Sequence, residues 1–158
     1  MSSSEVGEAV PGASLTYAAS LRIRHPCLDP AKLTDTLRIT PAHCWKAGEP
    51  RRSQSGSPLG GQHRDSYWSA PLLGTQGGAY PLGSPGMGAY PLETFLRQQL
   101  LHLGRHREFL QQLQTEGGEI SLLIELSPAA NGVLTLSSTL SRGLADLNIE
   151  VELQFVAE

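Results

Sequence analysis

Two stretches near opposite ends of the chain alternate with a period of two. Leu15, Tyr17, Ala19, Leu21 and Ile23 interleave with Thr16, Ala18, Ser20, Arg22 and Arg24, while Ile149, Val151, Leu153 and Phe155 interleave with Glu150, Glu152 and Gln154. Successive side chains of a strand point to opposite sides, so each segment has one apolar face directed inward and one polar face. Strands of this kind demand a sheet with one covered side and one wet side. A third segment, Ile120, Leu122, Ile124 and Leu126 with Ser121, Glu125 and Ser127 between them, fits the same sheet, Leu123 being the exception to its alternation.

The cover must come from helices. Asp29-Pro30 is a strong helix start, an acceptor side chain at the N-cap followed by a preset φ. Leu28 and Leu33 are spaced as a hydrophobic staple, Leu33 and Leu37 share a face, and the helix ends before Pro41. A longer helix opens at Pro91 and carries Leu92, Leu96, Leu100, Leu103, Leu110 and Leu113 on one stripe, with Gly104 the place for a bend or split and Gly117-Gly118 its C-cap. Ser137 or Ser138 caps a third helix with Leu140, Leu144 and Leu147 on its inner side.

At 158 residues the chain suits a single domain, and a domain of this size buries roughly 68–70% of the surface exposed by its unfolded chain. Seventeen Gly and eleven Pro against 17% charged residues argue for long connections instead of a helix bundle. Residues 1–13 read as a flexible tail and 14–158 as one domain, with a Gly/Ser-rich loop at 53–63 and a Gly/Pro-rich loop at 74–90 that contains GAYPL twice, at 78–82 and 88–92. Two copies are too few for a solenoid. Arg64 to Ala70 is a further strand that brings Tyr67 or Trp68 into the core, and Asn131-Gly132 is a turn after which Val133 to Leu136 has room to pair back as a short strand. The expected fold is α+β, a two-layer sandwich of ferredoxin-like character with a mainly antiparallel sheet and three helices on one face.

No catalytic signature of known mechanism is present. His25, Cys27, His43 and Cys44 are zinc-ligand types without the tight paired spacing of structural zinc sites, and His102 and His106 lack the glutamate of HExxH. Cys44 follows His43 directly, which on a strand sends the two side chains to opposite faces. GxSxG, GxGxxG and GxxxxGK[ST] are absent. The residues left as a candidate ligand site are His25, His43, Trp45, Arg51, Arg52, Arg64 and Trp68, since Arg offers bidentate donors and Trp a surface on which guanidinium stacks. No metal and no cofactor is expected.

Charge adds a direction. Residues 22–64 hold eight basic and three acidic side chains, whereas 108–158 hold eight acidic and one basic, an asymmetry suited to steering a partner. A net charge of −3, aromatics at 6% and strands that expose Glu or Ser instead of Phe or Tyr speak against nucleic acid. The start MSSSEVGEAVPGAS has no basic, apolar signal pattern, and no run approaches ~18 apolar residues, so a cytoplasmic protein off the membrane is expected, with two cysteines too few for a disulfide framework.

The segment HPCLDPAKLTDTLRITPAHCWKAGEPR, followed by a Gly-rich loop and a strand with Trp68, resembles a bacterial family known as domain of unknown function 4279. Asp29-Pro30, Trp45, Gly48 and Trp68 are the positions that map, in a resemblance covering most of residues 15 to 156, with SQSGSPLGG and the doubled GAYPL as local departures. The resemblance implies a fold and a bacterial cytoplasmic setting, and carries no activity. The function expected is a non-enzymatic module that binds a protein or peptide, in a regulatory or toxin-neutralising role. The alternatives are an enzyme or small anionic-ligand binder with a pocket near Trp45 and Arg51, and nucleic-acid binding.

Overall fold

The computed structural model describes residues 15–72, 80–82, 91–126 and 135–155. Residues 1–13, most of the 74–90 loop, and the Asn131-Gly132 turn with Val133 lie outside them. Strand β1, Leu15–His25, is the spine of the sheet. Along one edge it pairs antiparallel with β7, Glu119–Leu126; along the other it pairs with β5, Ser66–Pro71, through Ser20–His25 and with β6, Tyr80–Leu82, through Leu15–Tyr17. The short β2, His43–Trp45, adds to β5, and β8, Glu150–Phe155, runs parallel to β7. The order is β2-β5-β1-β7-β8. The protein is therefore α+β with a mixed sheet, antiparallel except at β7–β8, whose parallel pairing requires the crossover that a helix supplies.

Among the described residues four helices line the core. Helix α1 is Pro30–Leu37, α2 Pro91–Gly104, α3 Arg107–Thr115 and α4 Ser138–Asp146. The long helix expected from Pro91 is divided at Gly104, which gives four helices where the sequence suggested three. Leucines from all of them join Tyr17, Leu21, Ile23, Trp68, Leu122 and Ile124 in one core cluster. Burial alternates strictly from Tyr17 to His25 and along β7, so the opposite side of the sheet carries Arg22, Arg24, Glu119, Ser121 and Glu125.

The caps follow from the sequence. Asp29 accepts a hydrogen bond from Ala31 N–H and Ser137 one from Leu140 N–H. Helix α3 closes in a Schellman motif, Gly118 N–H reaching Leu113 C=O at 2.8 Å and Gly117 N–H reaching Gln114 C=O at 3.1 Å, with Gly117 at φ +97°. Helix α4 ends the same way on Asn148, φ 51°.

Two expectations are corrected. Residues 53–63, read as a loop, belong largely to a hairpin of β3, Pro50–Arg52, and β4, Pro58–Gln62, with a register shift between Pro50 and Arg52. Every residue of both strands is exposed, so no hydrophobic alternation marks them, and the hairpin is defined by backbone pairing together with hydrogen bonds around its turn, Arg52 to Gly56 C=O and Ser57 N–H to Ser53 Oγ. In β8, Leu153 and Phe155 lie on the apolar side of the alternation yet are 42% and 71% exposed. The helical cover reaches Ile149 and Val151 and stops short of the strand's far end.

Candidate functional site

The side of the sheet opposite the core brings together residues far apart in sequence. β2 and β5 pair with Trp45 opposite Tyr67 and Cys44 opposite Trp68. Adjacent residues of a strand face opposite ways, so Trp68 enters the core while Trp45 and Tyr67 share the open face. Trp68 is fully buried, and its indole Nε1–H donates to Thr34 Oγ1 of α1 at 3.1 Å.

On the open face Trp45 stacks with Tyr67, ring centroids 4.6 Å apart, and with His63, 4.3 Å apart. The row continues across the sheet. Arg22 lies 5.9 Å from the Tyr67 ring centroid, its Nε donates to the Tyr67 hydroxyl at 3.0 Å, and its Nη1 meets Glu152 of β8 at 2.9 Å. The Tyr67 hydrogen bond, outweighing partial burial and helped by Glu152, raises the Arg22 pKa above its ordinary value. The Arg22 guanidinium is thus a fixed positive charge near neutral pH. His63, Trp45, Tyr67, Arg22 and Glu152 thus form one polar-aromatic row from β2 to β8, and beside it Arg22, Arg24, Tyr67, Glu119, Ser121 and Glu152 line a shallow groove of about 180 Å³.

The charge asymmetry of the sequence becomes a gradient on this face. β1 contributes Arg22 and Arg24, whereas β7 and β8 contribute Glu119, Glu125, Glu150 and Glu152. Arg24 and Glu119 are direct cross-strand neighbours, and Glu150 lies opposite Ser121.

Of the residues singled out from sequence, His43 and Trp45 sit two apart on β2 and share the open face. Trp68 lies on the other side of the sheet. His25 is buried at the end of β1, where Nδ1 accepts hydrogen bonds from the N–H groups of Cys27 at 3.1 Å and Leu28 at 2.9 Å, and Nε2 meets Glu116 at 3.0 Å. With Nδ1 accepting, the proton belongs on Nε2, which donates to the Glu116 carboxylate. Arg51 and Arg52 stand exposed on β3, Arg52 donating to Gly56 C=O at 3.2 Å, and Arg64 is exposed at the base of the hairpin. The cavity beside Trp45, about 410 Å³, is rimmed by Asp29, Asp35, Glu49 and Lys46, with Arg51 outside its lining.

Sequence reasoning missed Arg22, His63, Tyr67 as a surface residue, and Glu152. The alternation of β1 and β8 already sends Arg22 and Glu152 to the polar side; what it lacks is the strand order that makes them neighbours. His63 gave no signal. Among the described residues no three His, Cys, Asp or Glu side chains converge as a metal site, Cys27 and Cys44 are exposed free thiols, and His102 Nε2–H donates to Leu37 C=O at 3.1 Å. No described helix is long and apolar enough to cross a membrane.

No curated protein and no solved structure matches the chain. A family model does, over residues 14–157, nearly the whole sequence. The chain belongs to the family described as Domain of unknown function (DUF4279).

Proposed function

We propose that this chain is a non-enzymatic protein-binding module and that it presents the open face of its sheet to a protein or peptide partner. The observation that carries the reading is the row His63, Trp45, Tyr67, Arg22, Glu152 on the side away from the core. Trp, Tyr and Arg are the residues that most often anchor protein interfaces, Trp and Tyr because they bring large contact area with few rotatable bonds and Arg because its planar fork brings directional donors. Here they are held in place by one another before any partner arrives, which reduces the ordering entropy lost on binding.

The arginine-to-glutamate gradient supports a partner that is itself bipolar, its acidic end over β1 and its basic end over β7 and β8. A small anion beside Trp45 is disfavoured by Asp29, Asp35 and Glu49 around that cavity. Nucleic acid is disfavoured by the four glutamates of β7 and β8. A regulatory or toxin-neutralising role fits a module that works by occupying another protein's surface. The bacterial family resemblance and the free thiols of Cys27 and Cys44 support a bacterial cytoplasm, and the helix-covered sheet supports a distant ferredoxin-like kinship.

The test compares capture by the immobilised full chain with capture by Arg22→Ala/Trp45→Ala and by Arg51→Ala/Arg52→Ala, each shown by circular dichroism to be folded. A protein from the source cell held by the wild type and the hairpin variant but lost from the open-face variant, with purified-partner affinity falling about tenfold or more, is the expected result. Equal retention by the open-face variant contradicts the proposal.

A further inference from the structure

The two edges of the sheet are built differently. β2 is three residues long and flanked by Pro41 and Lys46, the short, interrupted edge that soluble proteins use to discourage pairing. β8 is six residues long, runs in unbroken register from Ser121↔Glu150 to Leu126↔Phe155 against β7, and contains no Pro, Gly or Lys. No strand among the described residues pairs with its outer edge. At the far end of that strand Phe155 is 71% exposed and Leu153 42%. A long, regular edge with uncovered large apolar side chains is a template for another strand.

The sequence of β8 indicates which strand fits. We propose that two copies of this chain associate through their β8 edges, antiparallel about a two-fold axis at Leu153. In an antiparallel pair, opposed residues share a face. With the axis at Leu153, that residue meets its own copy, Val151 meets Phe155, and Glu152 meets Gln154, whose amide donates to the carboxylate. Apolar side chains then cover one another on the core side and polar ones match on the open side. Moving the axis to Glu152 sets Glu152 against itself, and like charges directly opposite are destabilising. A one-residue offset that opposes Leu153 to Gln154 mixes the faces. The Leu153-centred register satisfies pairing, burial and charge together, and its two-fold symmetry closes the assembly at two copies. The open faces of both copies then lie on the same side of one continuous sheet. This association is independent of what binds that face.

Sedimentation velocity on the full chain across a dilution series tests it. The wild type is expected as a concentration-dependent dimer, and Leu153→Asp as a monomer of unchanged circular dichroism. Because Leu153 also pairs with Ile124 of β7 within the chain's own sheet, Gln154 gives a second, surface test. Gln154→Lys, opposite Glu152, is expected to tighten the dimer several-fold and Gln154→Glu to loosen it by a similar factor, each contact occurring twice per dimer. A wild type that stays monomeric at all concentrations overturns the proposal. So does a monomer in which the β8 amides pointing away from β7 resist hydrogen exchange, since the outer edge is then covered by the chain itself. A dimer indifferent to both Gln154 substitutions overturns the register and the edge together.

Discussion

His25 holds a corner of the molecule with three hydrogen bonds from one ring. Its Nδ1 gathers the N–H groups of Cys27 and Leu28 where β1 turns toward α1, and its Nε2 ties that turn to Glu116 at the end of α3. The fit around it is close: a Cβ on Gly118 would come within 3.1 Å of His25 Cδ2 and 2.6 Å of Leu113 C=O. Replacing His25 by Ala leaves two backbone donors without their acceptor in a mostly buried setting, for which a loss of about 2–3 kcal/mol is expected in urea unfolding. A change below about 0.5 kcal/mol, the range of surface substitutions, would show that water replaces the ring freely. None of this was legible in the sequence, where His25 stood out only as one of four residues of zinc-ligand type and as a candidate ligand-site residue. Its role depends on Glu116, ninety-one positions away. Trp68 was half legible, since the alternation of residues 64–70 allowed either Tyr67 or Trp68 to face inward, and only the pairing of β5 with β1 and the Thr34 acceptor decide between them.

At the scale of elements, local rules carried most of the content. Asp29-Pro30, the Ser137 cap, Gly117-Gly118 and the period-two segments appear where short-range chemistry places them, because each is specified by residues within about one turn of helix or a few strand positions. The β3–β4 hairpin escaped because it has no apolar face. One local conflict remains in the elements that were read correctly: Arg38 ends α1 with φ 58°, its N–H on Thr34 C=O, a left-handed conformation that strains an L side chain. Arg38→Gly is therefore expected to stabilise the protein by about 0.5–1 kcal/mol, read as a raised urea midpoint at unchanged slope. A lowered midpoint would mean that the Arg38 side chain contributes more than its backbone loses. At the opposite end of the chain, β8 kept its alternation but not its burial: the pattern says which way Leu153 and Phe155 point, and only tertiary structure says whether anything covers them.

The molecule as a whole is built on a sheet with two unlike sides. One is covered by leucines of the described helices, and the other carries an aromatic and charged row. What the sequence conveyed of this was one-sidedness, because alternation is written in each strand separately. What it did not convey was adjacency, because Arg22 and Glu152 become neighbours only through the order β1-β7-β8. The two tryptophans report on the two sides within a single strand pair, Trp68 fully buried and Trp45 half-buried on the open face. Acrylamide quenching of fluorescence from Trp45→Phe, which leaves Trp68, and Trp68→Phe, which leaves Trp45, tests the architecture most directly. A blue-shifted, strongly shielded emission is expected from the variant retaining Trp68, and several-fold more efficient quenching from the variant retaining Trp45. Equal quenching of the two, with both variants folded, would contradict this architecture.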